Sequence, residues 1–505
     1  MNYQSSLRYL EGFINLEKLT YCPDSHLYNL DRMHNLIEMF DHPEKSFFPI
    51  LIAGTKGKGS TGFYLESILK AAGIRVGFYN SPHILEPTER IRLQGQDISK
   101  EDWVQGVKEI REKLRGLSLR ATAGSEAISS PRLLRRFTPR NDVSSFSYFE
   151  ILTLLAILVF AQKKIQVGIF EVGMGGRLDA TNILKAPLVI LTPISLDHEA
   201  VLGNTIAAIA REKAGVIHAG SDVVVGRQPS EALRMIRKQI RKVGAKIHRA
   251  SSGISLEPGL PGDHQKRNAA LASKAAEILL GELSETVIAS RSEAISGCGQ
   301  RLPSLRPSAG LAVTKTVILP RRPPKNSGGI LAMTNSCVSA KAWDSSADGS
   351  VRRNVSDNDV IRQGLQSSNW PGRYETINRN PEIVIDAAHN PTSVSVLADH
   401  LMKRESSRRK VLIFGTSRDK NYGAMLKTLS ACFSMAILTA SQNPRSREIG
   451  DLMHLAKPHF KTIFPASNTA EALRLARTLA HPKDLIVATG SFYLIGEIKR
   501  LVRNQ

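Results

Sequence analysis

The stretch FFPILIAGTKGKGSTGFYLESILKAAG, residues 47–73, places an apolar run, a glycine–lysine turn and an amphipathic segment side by side. Gly57 and Gly59 leave backbone N–H groups bare, Lys58 brings an ammonium and Ser60 a hydroxyl, and a helix N-terminus follows. Those parts make a nest for phosphate. The usual phosphate loop reads G-x-x-x-x-G-K-[ST]. Here Gly59 separates Lys58 from Ser60, and Gly54 stands closer than that pattern asks. An ordinary strand-to-helix turn is the competing reading.

Other residues with chemistry sit where apolar runs stop. Glu171 ends VGIF, where a carboxylate is costly unless it meets a cation or hydrogen-bond donors, so it reads as a metal ligand or half of a buried ion pair. Ser81 follows VGFYN at the carboxyl end of an expected strand, as a ligand contact or a plain turn before Pro82. His198 follows LVILTPIS; because magnesium prefers oxygen, its chemistry alone favours a hydrogen-bonded core histidine. Lys213, in TIAAIAREKAG, reads by itself as a solvated helix lysine.

The elements that position these residues alternate between strand and helix. Apolar runs at 48–54, 74–80, 165–173 and 187–195 are each followed by a helix-like stretch. A second set lies at 382–389, 410–417, 435–441 and 484–491. Continuous rather than alternating apolar strands predict parallel sheets covered on both faces, hence two α/β domains in series. Residues 285–355 mix Ser, Arg, Pro and Gly without period and read as a disordered insertion; 117–146 read as a smaller irregular one. The expected division is 1–284, the insertion 285–355, a return segment and linker 356–372, and 373–505.

Composition narrows the classes. At 505 residues, 42% hydrophobic and 23% charged, the chain is expected to be a soluble protein of more than one domain. Its longest aliphatic run, Ile151–Ala161, is about half a bilayer span and predicts a buried helix. The N-terminus lacks a basic start followed by an apolar core, so no signal peptide is expected. Cysteines at 22, 298, 337 and 432 form no close pair, against a zinc or disulfide framework and in keeping with the cytoplasm. Of the net charge of +22, the segments 117–146 and 285–355 carry +3 and +6. The rest is spread out and suits anionic small molecules as well as nucleic acid. No zinc-finger spacing, RNP-type strand or basic recognition helix accompanies it.

Taken in order, the motifs resemble the folylpolyglutamate synthase and dihydrofolate synthase family of the Mur-ligase superfamily. GTKGKGS (54–60) is similar to that family's G-T-N-G-K-G-S loop, with Lys56 in place of asparagine. YNSPHILEPTERIRLQG (79–95), SYFEILTLLAILVF (147–160), FEVGMGGRLDATN (170–182) and SLDHEAVLGNTIAAIAREKAGVI (195–217) follow. GDHQKRNAALA (262–272), WPGRYE (370–375), IDAAHNP (385–391) and GSFYLIGE (490–497) complete the series.

The resemblance implies an N-terminal P-loop-type parallel-sheet ATPase domain and a smaller C-terminal Rossmann-like α/β domain. It implies ATP on Gly57, Lys58, Gly59, Ser60, Asn268, Arg373 and Asp386, and Mg2+ on Ser81, Glu171 and His198. Lys58, Lys213 (as a carbamate) and His389 are the implied catalytic groups. Ser147, Tyr148, Phe149 and Glu150, with Leu178, Asp179 and Ala180, are implied at the pterin or folate. Aromatic rings suit a flat pterin, while core packing of Tyr148 and Phe149 stays open as the alternative. The implied reaction joins L-glutamate to dihydropteroate and to reduced folates at the expense of ATP. The implied partners are these small molecules; the composition argues against nucleic acid and membrane and for the cytoplasm, and a self-contained two-domain cleft is expected to work as a monomer. Folylpolyglutamate synthase activity alone, another amide ligase of the superfamily such as a muramyl or cyanophycin type, and a basic nucleic-acid binder are the alternatives.

Overall fold

The computed structural model describes residues 1–15, 29–122, 146–250, 262–297, 356–367 and 370–504, without the side chains of 116–122 and 282–297. Two sheets organise the chain. The first has eight strands: β1 (Phe48–Ala53), β2 (Val76–Tyr79), β3 (Ile91–Leu93), β4 (Gln96–Asp97), β5 (Val167–Glu171), β6 (Leu188–Leu191), β7 (Asp222–Val225) and β8 (Lys246–Arg249). Their order is β4-β3-β2-β5-β1-β6-β7-β8. The six strands from β2 to β8 in that order run parallel, with β3 and β4 added antiparallel at one edge. From β1 the chain passes to β2 on one side, and from β5 it crosses β1 to β6 on the other. The carboxyl end of β1 is therefore a topological switch point, where open α/β sheets bind ligands.

The second sheet has six strands: β9 (Glu375–Arg379), β10 (Glu382–Asp386), β11 (Lys410–Phe414), β12 (Met435–Thr439), β13 (Thr462–Ala466) and β14 (Leu485–Thr489). Their order is β13-β12-β11-β14-β10-β9, parallel except for β9. Buried apolar residues cover both of its faces, Val384, Leu412 and Val487 on one and Ile383, Ile413 and Ile486 on the other. This alternation explains why these strands read as continuous apolar runs.

The core of the first sheet is built around helix Tyr148–Gln162, which is buried from Ile151 through Phe160. Phe47 stacks on Phe170 with centroids 5.8 Å apart, and Phe160 meets Phe170 edge-on at 5.3 Å. Full burial of each such ring stabilises the fold by roughly 1.5–3 kcal/mol. No helix among the described residues is long and apolar enough to cross a membrane. Helix Asp357–Gln366 packs against helix Lys58–Ala71, which ties the segment before β9 back to the first sheet.

Both sheets lie in one compact unit, Met1–Ala276 with Gly349–Gln505, while Glu277–Asp348 forms another. Helix Lys100–Thr122 and helix Asp263–Gly297 run past 117 and 285, where irregular chain was expected to begin. The remainder of those two segments, and Cys22, Cys298 and Cys337, lie outside the described residues.

Candidate active site

β1 delivers the chain into its loop, and helix Lys58–Ala71 begins at Lys58. Gly57 has φ 87°, the left-handed region, and a Cβ there would collide with the Asn268 amide. Glycine is thus required twice over, by backbone and by close approach. Thr55 holds the loop against the chain beyond β6, its N–H donating to the Pro193 carbonyl at 3.1 Å and its hydroxyl to that of Ser195 at 3.1 Å. Ser60 is buried, with the Gln265 amide 3.5 Å from its hydroxyl. Gln265 also accepts from Asn268 at 3.1 Å. The loop and the first turn of helix Asp263–Gly297 are therefore one polar assembly.

Glu171, the last residue of β5, is buried with Lys58 Nζ 3.8 Å from one oxygen and the Ser81 N–H donating to the other at 3.3 Å. Burial pushes its carboxyl above the ordinary range, against the opposing pulls of Lys58, the Ser81 N–H, Arg373 and Arg90. A divalent cation would supply the missing positive charge. His198 follows β6 with its side chain 53% exposed and Asp197 4.0 Å away, so the core-histidine reading does not hold. Among the described residues no three His, Cys, Asp or Glu side chains form a metal cage. One carboxylate, one hydroxyl and one imidazole fit an ion that completes its shell with phosphate oxygens and water, as magnesium commonly does.

Lys213 is buried, contrary to the solvated reading of its helix. The glycine-rich segment after β5 folds over the end of helix Ile206–Ala214, with the Arg177 N–H donating to the Glu212 carbonyl at 2.8 Å. Desolvation, and then the like charge of Lys58, push the Lys213 amine down to about 7, while Asp197 and Asp179 act in the other direction.

The second sheet contributes Arg373, Asp386 and His389. Asp386 ends β10 and accepts N–H groups from Tyr374 and Ala388, each at 2.9 Å. Burial raises its carboxyl pKa despite Arg373. The Arg373 guanidinium lies 5.5 Å from the centre of the Phe492 ring. His389 sits beside the same ring at 5.3 Å, with Nδ1 2.8 Å from the Ala387 carbonyl, and burial lowers its pKa to about 4. It is a neutral imidazole at physiological pH.

The expected pterin residues divide. Ser147, Phe149, Glu150, Leu178, Asp179 and Ala180 line the cavity. Tyr148 does not; it is buried under Arg90, whose guanidinium is 5.8 Å from its ring, so core packing claims it. Ser147 caps helix Tyr148–Gln162, and Glu150 closes the capping box by accepting the Ser147 N–H at 2.6 Å and Arg32 Nε at 3.0 Å. Asp179 accepts from Met174 N–H and from the N–H and hydroxyl of Thr181, at 2.9, 3.0 and 2.6 Å. Both carboxylates are thus held rigidly at the wall.

A single cavity of about 1890 Å³ is lined by Gly57, Lys58, Gly59, Ser60, Ser81, Glu171, His198, Asn268, Arg373, Asp386 and His389 together with the pterin candidates other than Tyr148. It also takes in residues that are not among the implied site residues. Trp370 packs against the phosphate loop, meeting Phe63 edge-on at 4.6 Å. Lys420, paired with Asp419 at 2.9 Å, and Arg445 enter from the loops after β11 and β12. Ser195 Oγ and His264 Nδ1 are buried at the wall with no hydrogen-bond partner among the described residues. Trp370 was legible as part of WPGR; the basic side chains lie in loops whose sequence carries no phosphate-loop pattern.

Residues 372–492 match the family model described as Mur ligase, glutamate ligase domain. The chain is 27% identical over 477 residues to the dihydrofolate synthase/folylpolyglutamate synthase of Bacillus subtilis, covering 94% of this chain and 95% of that protein. Among solved structures, Mycobacterium tuberculosis folylpolyglutamate synthase complexed with ADP superposes with a TM-score of 0.72 at 25% identity, over 99% of each chain. The bifunctional folylpolyglutamate synthase/dihydrofolate synthase of Yersinia pestis, complexed with AMPPNP and a Mn ion, gives 0.66 at 26% identity over 100% of this chain and 98% of that one.

Proposed function

We infer the reaction from a kinship: the chain belongs to the dihydrofolate synthase/folylpolyglutamate synthase family. It is an ATP-dependent amide ligase that adds L-glutamate to dihydropteroate and to reduced folates. The supporting observation is that one cavity gathers Lys58 and Glu171 at the switch point of the first sheet with Arg373 and Asp386 from the second.

A carboxylate oxygen of the pteroate or folate attacks the γ-phosphorus of ATP, ADP leaves, and an acyl phosphate forms. Lys58 and the N–H groups around Gly57 and Gly59 offset the charge that builds on the transferring phosphoryl group. Ser81, Glu171 and His198 would hold a divalent ion, which would supply further charge neutralisation there. The glutamate amine then adds to the acyl carbon, the C–O bond to phosphate breaks, and inorganic phosphate departs. His389, neutral and beside Phe492, takes a proton from the glutamate ammonium and so frees the amine that attacks. Asn268, Arg373 and Asp386 hold the rest of the nucleotide.

Lys213 carries a carbamate in the working enzyme. Its amine adds to carbon dioxide and releases a proton, and only the neutral amine can do so; a pKa of about 7 makes that form available. Phe149 and the rigid carboxylates of Glu150 and Asp179 take the pterin ring, and the enzyme acts as a cytoplasmic monomer. Purified protein given ATP and L-glutamate makes dihydrofolate from dihydropteroate and lengthens tetrahydrofolate over matched times. Glutamylation of tetrahydrofolate with dihydropteroate untouched would remove the first activity.

A further inference from the structure

Helix Phe492–Arg503 holds three residues at i, i+4 and i+7, hence on one face: Phe492, Gly496 and Lys499. Phe492 and Lys499 touch the machinery around Arg373, and Gly496 meets the Ile84 loop. The Phe492 ring lies beside the guanidinium. Lys499 is buried, its side chain 6% exposed, and its Nζ reaches both oxygens of Glu375 at 2.7 and 2.8 Å. The same Glu375 carboxylate accepts the Gly372 N–H at 2.7 Å, and the Gly372 carbonyl accepts the Ala387 N–H at 2.9 Å.

Arg373 is therefore bracketed. On one side stands Gly372 with φ 72°, on the other Tyr374 with φ 47°, whose N–H is held by Asp386. Two left-handed residues around one side chain form a turn the chain does not adopt unaided, and Glu375 with Lys499 supplies the constraint.

The third residue of the face receives the other half of the site. A Cβ at Gly496 would collide with the Ile84 carbonyl, so the Ser81–Glu89 loop rests directly on the helix backbone. The Ile84 side chain packs into the apolar layer of the second sheet with Leu494 and Ile495, and Glu89 clamps the loop by accepting the N–H groups of Ile84 and Leu85 at 2.6 and 2.9 Å. Ser81, three residues before Ile84, donates to Glu171.

We propose that Lys499 and Glu375 are positioning residues that aim Arg373 at the nucleotide, and that Gly496 seats the Ile84 loop so that Arg373 and Ser81 share one frame. The inference rests on the ATP site assigned above. A buried ion pair is on its own weak evidence for stability, since apolar replacements of similar size are often as stable. A purely structural pair and a positioning pair thus predict different outcomes when both charges are removed.

The test is calorimetric titration of magnesium-ATP into the full chain, with melting temperatures for each variant. Glu375→Gln and Lys499→Met each weaken ATP binding about tenfold, as loss of aim in a nucleotide-binding group does. The double variant Glu375→Gln, Lys499→Met regains the melting temperature but not the affinity; recovery of both would overturn the inference in favour of a structural pair. In an Arg373→Ala background, Glu375→Gln changes the dissociation constant less than about twofold, because coupled residues are not additive; independent, additive losses would overturn it too. Gly496→Ala weakens ATP binding without Arg373 being altered, and wild-type affinity in that variant would sink the seat. Wild-type protein that binds ATP but glutamylates neither dihydropteroate nor tetrahydrofolate would contradict the ligase reading and leave this one standing. Equal affinity across the Glu375, Lys499 and Gly496 variants would do the reverse.

Discussion

Lys58 and Lys213 are two amines in one electrostatic neighbourhood, with different surroundings. Lys58 has the Glu171 carboxylate 3.8 Å away, whereas Lys213 is buried, with Lys58 pressing on it as a like charge. Lys58→Ala should lower kcat by roughly a hundred- to thousandfold, the usual cost of removing a group that stabilises transferring phosphoryl charge. A folded variant with near-normal turnover would contradict the phosphate site. For Lys213 the sign follows from its lowered pKa: the neutral amine is the minor form below pH 7 and the major form above it. Protein freed of carbon dioxide should lose activity and regain it on adding bicarbonate, with faster recovery at pH 8 than at pH 6. Activity independent of carbon dioxide would remove the carbamate. Glu171 was legible in the sequence because a carboxylate closing an apolar strand needs a partner. The burial of Lys213 was not, since a glycine-rich segment distant in sequence creates it. For Tyr148 the sequence left pterin contact and core packing both open, because an aromatic ring beside a site and one beneath it look alike in sequence; its burial favours packing.

The loop between β1 and helix Lys58–Ala71 and the strand β5 set the geometry at the scale of elements. Gly57→Ala forces a side chain into the left-handed region and onto the Asn268 amide. It should cost about 1–2 kcal/mol from the backbone alone and weaken ATP binding more than it lowers the melting temperature. Calorimetry with and without nucleotide checks this, and unchanged affinity would show that the loop does not meet phosphate. In β5, Phe170 is fully buried among Phe47, Phe160 and Tyr79, one residue before Glu171. Phe170→Ala should destabilise by about 3–5 kcal/mol in denaturant unfolding. The eight strands expected from apolar runs are present. Six more were not expected: β7, whose DVVV does carry an apolar run, and β3, β4, β8, β9 and β13, which lack a sustained one; the edge strand β8 reads KIHR, β4 has two residues, and β13 contains Pro465, tolerated because it lies at the sheet edge. Edge and short strands are stabilised by pairing with a neighbour already in place, which no local pattern records.

Across the whole molecule, the net charge of +22 and the two sheets belong to one account. ATP, glutamate and a pteroate carboxylate are all anions, and a positive field lowers the cost of bringing them together in one cavity. A cavity built from both sheets also shields an acyl phosphate from water better than either sheet alone could. The order of motifs made this division readable, while the joining of both sheets into one unit depends on contacts such as helix Asp357–Gln366 against helix Lys58–Ala71. The most direct test follows one oxygen atom. Dihydropteroate labelled with ¹⁸O in its carboxylate is incubated with the enzyme, ATP and L-glutamate, and the released phosphate is analysed by mass. Transfer of one labelled oxygen to phosphate for each dihydrofolate formed is the predicted result. Unlabelled phosphate, or ADP released without dependence on dihydropteroate, would contradict the account.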